Sequence, residues 1–310
     1  MLSEALLYLT LTGSSLARRM GYAREVVGIR SRWHRCQAAW APHLAATRHA
    51  LLQSAANCRH HRRALVLGAG ALHDIPLTQL ARHFSRIDLV DLAFLPHTRW
   101  MAYRLGNVRC VLQDATEALA LLERAVYPEG ALWVASQTPR QFADEPDIDW
   151  IASVNLWSQL PILPILALRA RHPDWPEGIF QEISRRLLQG HLDYLGRFSA
   201  LTCLIADRTQ VSYQSGGEEV ERSDFASSFP LLQNAQQVWR WDVAPLGEAG
   251  PGLGAWHEVV VCERLEQAEQ YKSLAILGQH PLAGETVGLF PRDHQMIQHR
   301  DADGTKSLNQ

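Results

Sequence analysis

A short apolar run that stops at a glycine turn constrains this chain most. The run Arg63–Leu67 is followed by Gly68-Ala69-Gly70, a helix-like pattern begins near Ile75, and a second apolar run, 87–90, ends at Asp91. A strand, a glycine turn, a helix and a strand ending on a carboxylate form one half of a nucleotide-binding α/β sheet. Glycine lets the backbone approach a ligand closely, and the carboxylate is placed to accept hydrogen bonds from ribose hydroxyls. The pattern predicts a site for an adenosine-containing cofactor.

The composition is that of a globular protein with an uneven charge. The chain has 310 residues, 47% of them apolar, enough for one large α/β domain with appendages or for two small domains. Residues 1–63 hold ten Arg and two acidic residues, whereas the rest carries an acidic excess. A basic segment binds nucleic acid or an acidic partner in some proteins. The simpler interpretation, which we favour, is a solvated helix face beside an acidic body.

The cysteines and histidines indicate neither disulfides nor a metal. The five cysteines are widely spaced and include no C-x-x-C pair, which excludes a disulfide framework and a cysteine zinc site. His60 and His61 are adjacent, so on a helix they point about 100° apart, and we assign no metal. No apolar stretch approaches the length of a bilayer span, and no basic residue precedes the apolar residues 6–11 as in a secretory signal. We expect a cytoplasmic protein without a membrane partner.

The chain divides into three predicted regions. Residues 1–62 are expected to form a helical N-terminal cap, 63–264 a sheet domain, and 265–310 a C-terminal extension that is partly disordered from about 284. Within the sheet domain we predict strands at 64–67, 87–90, 108–112, 150–154 and 200–206, an extra short strand at 131–135, and helices at 77–84, 95–105, 117–125 and 180–198. Residues 161–180 are proline-rich and are expected to form an irregular lid. The strong strand patterns at 237–243 and 256–262 predict an antiparallel pair.

This layout resembles that of the class I S-adenosylmethionine-dependent methyltransferases. The resemblance covers about residues 63–264 and is to the superfamily, not to one subfamily. It implies a Rossmann-like, seven-stranded, mostly parallel sheet with a terminal antiparallel strand pair, here preceded by the helical cap. It also implies S-adenosylmethionine as cofactor and in-line methyl transfer, for which the protein mainly aligns the reacting groups.

The resemblance also implies cofactor-binding residues. V-L-G-A-G at 66–70 resembles the glycine turn around the methionine part, Asp91 matches the residue that holds the ribose, and Asp114-Ala115 resembles the element that meets adenine. The full set is Gly68, Ala69, Gly70, Asp74, Asp91, Leu92, Asp114, Ala115 and Asn155. The structural alternatives are a tight turn for the glycines, a strand-end loop for Asp91, and a helix N-cap for Asp114 with Glu117 completing a capping box.

The glycine turn departs from the family pattern at two positions. Val66 stands where the family has an acidic residue, and Leu72 stands where it has a third glycine. Asp74 lies just beyond, where it is placed either to cap the next helix or to point at the cofactor's ammonium group. The rival cofactor is NAD, but its G-x-G-x-x-G pattern would need glycine at His73, and Asp74 would repel a pyrophosphate.

Side chains after the fourth strand are the candidates for acceptor contact. Asparagine is disfavoured within strands, so the position of Asn155 at a strand's carboxyl end indicates a site role, the alternative being a loop-closing hydrogen bond. Trp157 and Gln159 lie about one turn further on, and Trp157 is alternatively a core residue. His172 lies in the expected lid, 161–180.

Three residues are weak candidates for proton transfer: His191, Tyr194 and Asp207. The first two lie in G-H-L-D-Y, which alternatively forms a helix with its polar side in solvent and Tyr194 at the core edge. Asp207 is expected to end the fifth strand. A base is optional, because an amine or thiolate acceptor needs little beyond alignment, whereas a hydroxyl or carbon acceptor gains about 10²–10⁴-fold from one.

We therefore expect methyl transfer to a small-molecule acceptor enclosed by the cap and residues 161–180. The N-P-P-Y signal for methylation of base amino groups is missing, since N-L-W-S at 155–158 matches only its first position. The sequence leaves three alternatives: an RNA methyltransferase that uses the basic N-terminal segment, a non-catalytic partner protein on a degenerate methyltransferase fold, and an NAD-dependent enzyme.

Overall fold

The N-terminal segment is helical. The computed structural model describes residues 2–263, so the extension predicted for 265–310 lies outside the described residues. Four helices precede the sheet: α1 (Leu2–Thr10), α2 (Ser15–Arg19), α3 (Tyr22–Arg35) and α4 (Gln37–Ala56). The longest, α4, runs through Pro42 and anchors its Trp40 by an indole N–H bond of 3.0 Å to the carbonyl oxygen of Val243.

One mixed sheet organises the rest of the described chain. Its strands are β1 (Arg63–Leu67), β2 (Arg86–Asp91), β3 (Val108–Leu112), β4 (Ile148–Val154), β5 (Leu201–Gln214), β6 (Glu219–Asp224), β7 (Gln237–Ala244) and β8 (Leu253–Glu263). The order is β3-β2-β1-β4-β5-β8-β7, and β6 pairs with β5 beyond that path. Strands β1 to β5 run parallel, whereas β8 lies antiparallel between β5 and β7. The predicted fold class is confirmed, with one strand more than expected.

Six further helices cover the sheet: α5 (Leu77–His83), α6 (Pro96–Leu105), α7 (Leu119–Leu122), α8 (Pro128–Ala135), α9 (Ile162–Arg171) and α10 (Glu177–Leu195). Alternate residues of a strand point to opposite faces, so β1 contributes side chains to two hydrophobic cores. Val66 packs in the core that contains α4 and α5, and Leu67 packs in the core that contains α10. Both faces of β1 are therefore covered by apolar side chains, which leaves the carboxyl edge of the parallel strands as the place for a ligand. None of the helices in the described part of the chain is long and apolar enough to cross a bilayer.

Three predicted elements are wrong in detail. Residues 131–135 belong to helix α8, because Pro128 starts a helix in its first turn and a short apolar run does not distinguish helix from strand. Residues 161–180 are not irregular, since they contain α9 and the start of α10; Pro164 lies in the first turn of α9, where a missing N–H costs little. The fifth strand continues past 206 to Gln214, and β6 pairs along that continuation.

Candidate functional site

The glycine turn after β1 is fixed by its own neighbours. Gly68 has φ +79°, and a Cβ there would lie 2.8 Å from the carbonyl oxygen of Val154 and 2.9 Å from Leu156 Cβ. Its N–H donates to the carbonyl of Val90 at 3.0 Å. Gly68 is therefore required because the ends of β1 and β4 approach so closely, and this alone explains one of the two glycines.

Leu72 has a backbone conformation that favours glycine. It has φ +60°, a left-handed conformation that costs an L-residue about 1 kcal/mol, and its N–H donates to the Ala69 carbonyl at 3.0 Å. Its side chain packs against the α4–α5 core. The chain thus adopts a left-handed turn at the position where the sequence pattern of the family has glycine.

Asp91 joins the glycine turn to the end of β2. Its Oδ2 accepts the Gly70 N–H at 2.8 Å, and its Oδ1 accepts the N–H of Leu92 at 2.7 Å and, more weakly, that of Ala93 at 3.4 Å. Burial raises the pKa of Asp91 to about 6, although these N–H groups favour the charged form. A carboxylate oxygen accepts about two hydrogen bonds, so Oδ2 keeps capacity for a ligand hydroxyl.

Asp114 accepts hydrogen bonds from the segment that leads into α7. Its Oδ1 accepts from the N–H and hydroxyl of Thr116 at 2.8 and 2.7 Å, and its Oδ2 accepts from the Leu119 N–H at 2.9 Å. Asp114 thus accepts the first N–H of α7 from outside the helix, whereas the N-cap residue itself is Ala118. The predicted N-cap position and the capping box are therefore both wrong. Glu117 has φ +53° and instead accepts the N–H groups of Arg140 and Gln141.

A cleft of about 270 Å³ opens beside these carboxylates. It lies between the N-terminal cap and the ends of β2 and β3, lined by Ser14, Leu16, Leu92, Leu112, Gln113, Asp114, Glu117 and Ala120. Its mixture of aliphatic walls and acceptor oxygens suits a planar, partly polar ligand. The sequence predicted Leu92 and Asp114 of this lining but not the other six residues, which include Ser14 and Leu16 of the cap.

Asn155 and Asp74 meet at the other side of the turn. Asn155 has φ +48°, and its Nδ2 donates to Asp74 Oδ2 at 2.7 Å. Its Oδ1 is buried and has no partner among residues 2–263. Burial raises the pKa of Asp74, which does not cap α5, because that helix has Pro76 at its N-cap and no side-chain cap. The nearby Gln159 donates to the Asn155 carbonyl at 2.7 Å.

His43 extends this polar group toward β7. Its Nε2 lies 3.2 Å from Asn155 Nδ2, and its Nδ1 accepts the indole N–H of Trp239 at 3.0 Å. Its ring stacks on Trp241 with centroids 4.0 Å apart, and burial lowers its pKa to about 3. His43 is therefore neutral at physiological pH. His43 joins this group only through the packing of α4 against β7, so no pattern in the sequence indicates it.

Asp207 lies inside β5, not at its end as predicted. Its Oδ2 accepts from Ser158 Oγ at 2.7 Å and Gln210 Nε2 at 2.9 Å, and His257 Nδ1 lies 3.1 Å away. Burial would raise the pKa of Asp207, but the His257 charge and the hydrogen bonds outweigh it and lower the pKa to about 2. His257 packs edge-on to Trp241, with ring centroids 5.6 Å apart. The structure thus brings Asp207 into one cluster with His43 and His257, which the sequence analysis missed.

The structure does not bring the other candidates to this edge. His191 is buried in α10, where its Nε2 lies 2.9 Å from Ser153 Oγ, and burial lowers its pKa to about 4. Tyr194 is buried and donates to the Gln141 carbonyl at 2.8 Å, which corresponds to the core-edge alternative. Both side chains are therefore buried and hydrogen-bonded within the fold, which favours packing roles over the expected proton transfer.

Two predicted acceptor residues are also structural. Trp157 is fully buried and donates to the Leu188 carbonyl at 2.9 Å, so the core alternative is correct for it. His172 ends α9, contacts the Ala125 carbonyl at 3.0 Å and stacks on Trp175. Of the expected acceptor residues, the structure places Asn155 and Gln159 together at the end of β4.

The antiparallel insertion of β8 between β5 and β7 completes the layout that the sequence resemblance implies. The chain has the class I methyltransferase fold. No protein-family model and no curated protein sequence matches the chain. Similar solved structures include a complex of DhpI with SAM and HEP, at 12% identity over 86% of this chain and 91% of that one, with a TM-score of 0.33.

Two other similar structures differ in their acceptors. The 1,6-didemethyltoxoflavin-N1-methyltransferase of Burkholderia thailandensis, with bound 1,6-didemethyltoxoflavin and S-adenosylhomocysteine, shares 16% identity over 78% of this chain and 88% of that one, with a TM-score of 0.38. The 23S rRNA methyltransferase ErmE shares 13% identity over 73% of this chain and 74% of that one, with a TM-score of 0.29. At these scores the assignment of the fold rests on the strand order itself.

Proposed function

We propose that this chain is an S-adenosylmethionine-dependent methyltransferase that acts on a small molecule. The observation that carries the proposal is the contact between the Gly70 N–H and Asp91 Oδ2, 2.8 Å long, one residue before Leu92 of the cleft lining. It puts a glycine turn at the end of β1 and a ribose-competent carboxylate at the end of the neighbouring β2, and open α/β sheets bind nucleotides at the carboxyl ends of their strands.

The donors and acceptors present suit this cofactor. Asp91 is positioned for the ribose hydroxyls, and the cleft beside Leu92 and Asp114-Ala115 is positioned for adenine. At the methionine end, Asp74 and the partnerless Oδ1 of Asn155 are acceptors for an ammonium group. When bound, S-adenosylmethionine supplies an electrophilic methyl group, and this chain's residues bind and align it.

We place the acceptor at the cluster around Asp207 and His257. Ser158, which follows β4, and Gln210 of β5 orient the Asp207 carboxylate, which in turn faces the Nδ1 side of the imidazole. The His257 side chain remains 18% exposed, so its second nitrogen is available to a ligand. In its neutral form, an imidazole oriented in this way takes a proton from a hydroxyl acceptor, a contribution of about 10²–10⁴-fold.

The ion pairs of the basic segment support a small molecule over RNA. Five of its arginines pair with acidic residues of the sheet domain or its loops: Arg19, Arg32, Arg35, Arg62 and Arg63. A charge that is already paired contributes little to a phosphate-binding surface. We therefore assign part of the N-terminal charge to ion pairs with the acidic body, in place of a wholly solvated helix face.

Isothermal titration with S-adenosylmethionine tests the proposal. We expect binding by the full chain, weakened about tenfold or more in Asp91→Ala because a hydrogen bond to a charged group is lost. The control, Asp174→Ala, changes an exposed carboxylate between α9 and α10 and should bind like the wild type. Absence of binding at high micromolar cofactor would favour the non-catalytic alternative, and binding of NADH in its place would favour a dinucleotide enzyme.

A further inference from the structure

We propose that the N-terminal cap forms one wall of the cofactor site, with Leu16 and Tyr22 in contact with the adenosine part. This inference rests on the proposed function and extends it to a segment that the sequence analysis assigned to the acceptor side. The ligand expected there is the adenosine moiety shared by S-adenosylmethionine and S-adenosylhomocysteine.

The cap is hydrogen-bonded to the strand end that carries Asp91. Residues Thr12–Gly13 form an antiparallel two-stranded ladder with Ala93–Phe94, two residues beyond that carboxylate. A Cβ on Gly13 would lie 3.3 Å from both Ala93 Cβ and the Leu92 carbonyl oxygen, so the two backbones approach closely. The Arg99 guanidinium also donates to Thr12 Oγ1 at 2.9 Å. The position of the cap relative to β2 is therefore fixed by backbone pairing.

A separate hydrophobic cluster joins the cap to the glycine turn. Leu11, Ala23 and Val27 pack with Ala93 and Leu95 from the end of β2. Ala71, the residue that follows Gly70, packs against the same cluster. Helix α3 thus rests on the two loops that would hold the cofactor, and removal of the cap would expose both of them.

Cap side chains reach the space between the two carboxylates. Ser14 and Leu16 line the cleft opposite Leu92 and Asp114. Tyr22 starts α3, and burial together with the charges of Asp114 and Asp91 raises its pKa well above the usual value. Its phenol therefore remains a neutral donor in a region with two acceptors. Aliphatic walls, two carboxylates and a phenol match the aromatic base and the hydroxyl groups of adenosine.

The arginines of α2 hold the cap in place. The guanidinium of Arg18 donates to the carbonyls of Leu11 and Tyr8 at 2.6 and 3.2 Å. Arg19 makes a two-pronged contact with Glu123, at 2.8 and 2.7 Å. Both arginines form contacts within the protein, so part of the basic N-terminal charge serves to dock the cap.

Hydrogen exchange and titration on the full chain test this inference. With saturating S-adenosylhomocysteine, the backbone amides of residues 12–35 should exchange more slowly than in the free protein. Tyr22→Ala should bind S-adenosylmethionine about tenfold or more weakly, and Tyr22→Phe should lose less. The matched control is Tyr103→Ala, since Tyr103 is 86% exposed on α6 and should bind like the wild type.

The outcomes separate the two proposals. If the wild type binds the cofactor but exchange in residues 12–35 is unchanged, or if a folded Tyr22→Ala binds like the wild type, the cap proposal is wrong and the proposed function stands. If the wild type binds neither compound, the proposed function itself is wrong. The exchange measurement needs no variant, so a Tyr22→Ala protein that fails to fold leaves the inference testable.

Discussion

The imidazole of His257 lies with its Nδ1 3.1 Å from Asp207 Oδ2, a contact between β8 and β5 at the point where their register shifts. The shift falls between Glu258, paired with Thr209, and Val259, paired with Asp207. A bulge of this kind re-aims side chains next to functional sites. The pair is therefore built by strand register, and it holds a negative charge in a place where burial alone would neutralise it.

Asp207→Asn should lower the free energy of unfolding by about 2 kcal/mol at neutral pH. The pKa of Asp207 is lowered to about 2 in the folded protein, so its contribution is complete above pH 4 and is lost as the pH falls from about 4 to 2. Urea unfolding of the wild type and the variant at pH 7 and pH 3 measures the difference in their free energies of unfolding. Asp242→Asn, at an exposed carboxylate paired with Arg240, is the control. Equal losses in both variants would contradict a special role for the buried pair.

Cofactor affinity should decrease below pH 6. The pKa of Asp91 is raised to about 6, so the ionised carboxylate that accepts ribose hydroxyls predominates only above that value. Titrations with S-adenosylmethionine at pH 5 and pH 8 should differ about tenfold, since one pH unit below the pKa leaves about a tenth ionised.

The control for this pH effect is Asp91→Asn, which cannot titrate. It should bind weakly at both pH values. Burial also raises the pKa of Asp74 and Asp114, so a pH effect that survives in Asp91→Asn would assign the titration to one of those groups instead.

The parts of the site that the sequence predicted are those encoded locally. The turn at Gly68 and the carboxylate of Asp91 follow directly from strand-and-turn patterns, and the structure places them together. His43 and His257 were missed because they meet only when α4 packs on β7 and β8 inserts beside β5. The burial of His191 and Tyr194 does not follow from the sequence for a related reason, since helical spacing shows that two residues share a face but not whether that face meets solvent or the sheet.

Gly68→Ala should destabilise the fold by about 2–4 kcal/mol, the sum of left-handed strain and overpacking. The added Cβ would lie 2.8 Å from a backbone carbonyl oxygen, which cannot move aside without shifting β4. Gly252→Ala isolates the cost of left-handed strain, because Gly252 has φ +71° and no atom within 4 Å of an added Cβ. Thermal or urea unfolding of both variants gives the comparison. If the two losses were equal, the close approach of β1 and β4 would carry no cost.

At position 72 the glycine variant should be more stable than the alanine variant, which reverses the usual order of stability. At most positions glycine is the less stable of the two, because it loses more chain entropy on folding. Leu72 has φ +60°, so alanine there retains the strain of a left-handed L-residue, whereas glycine removes it. Both variants lose the same packing of the leucine side chain against the core, so their difference isolates the backbone. We expect Leu72→Gly to be more stable than Leu72→Ala by about 1 kcal/mol in urea unfolding. The opposite order would mean that the turn relaxes to an ordinary backbone once the leucine is gone.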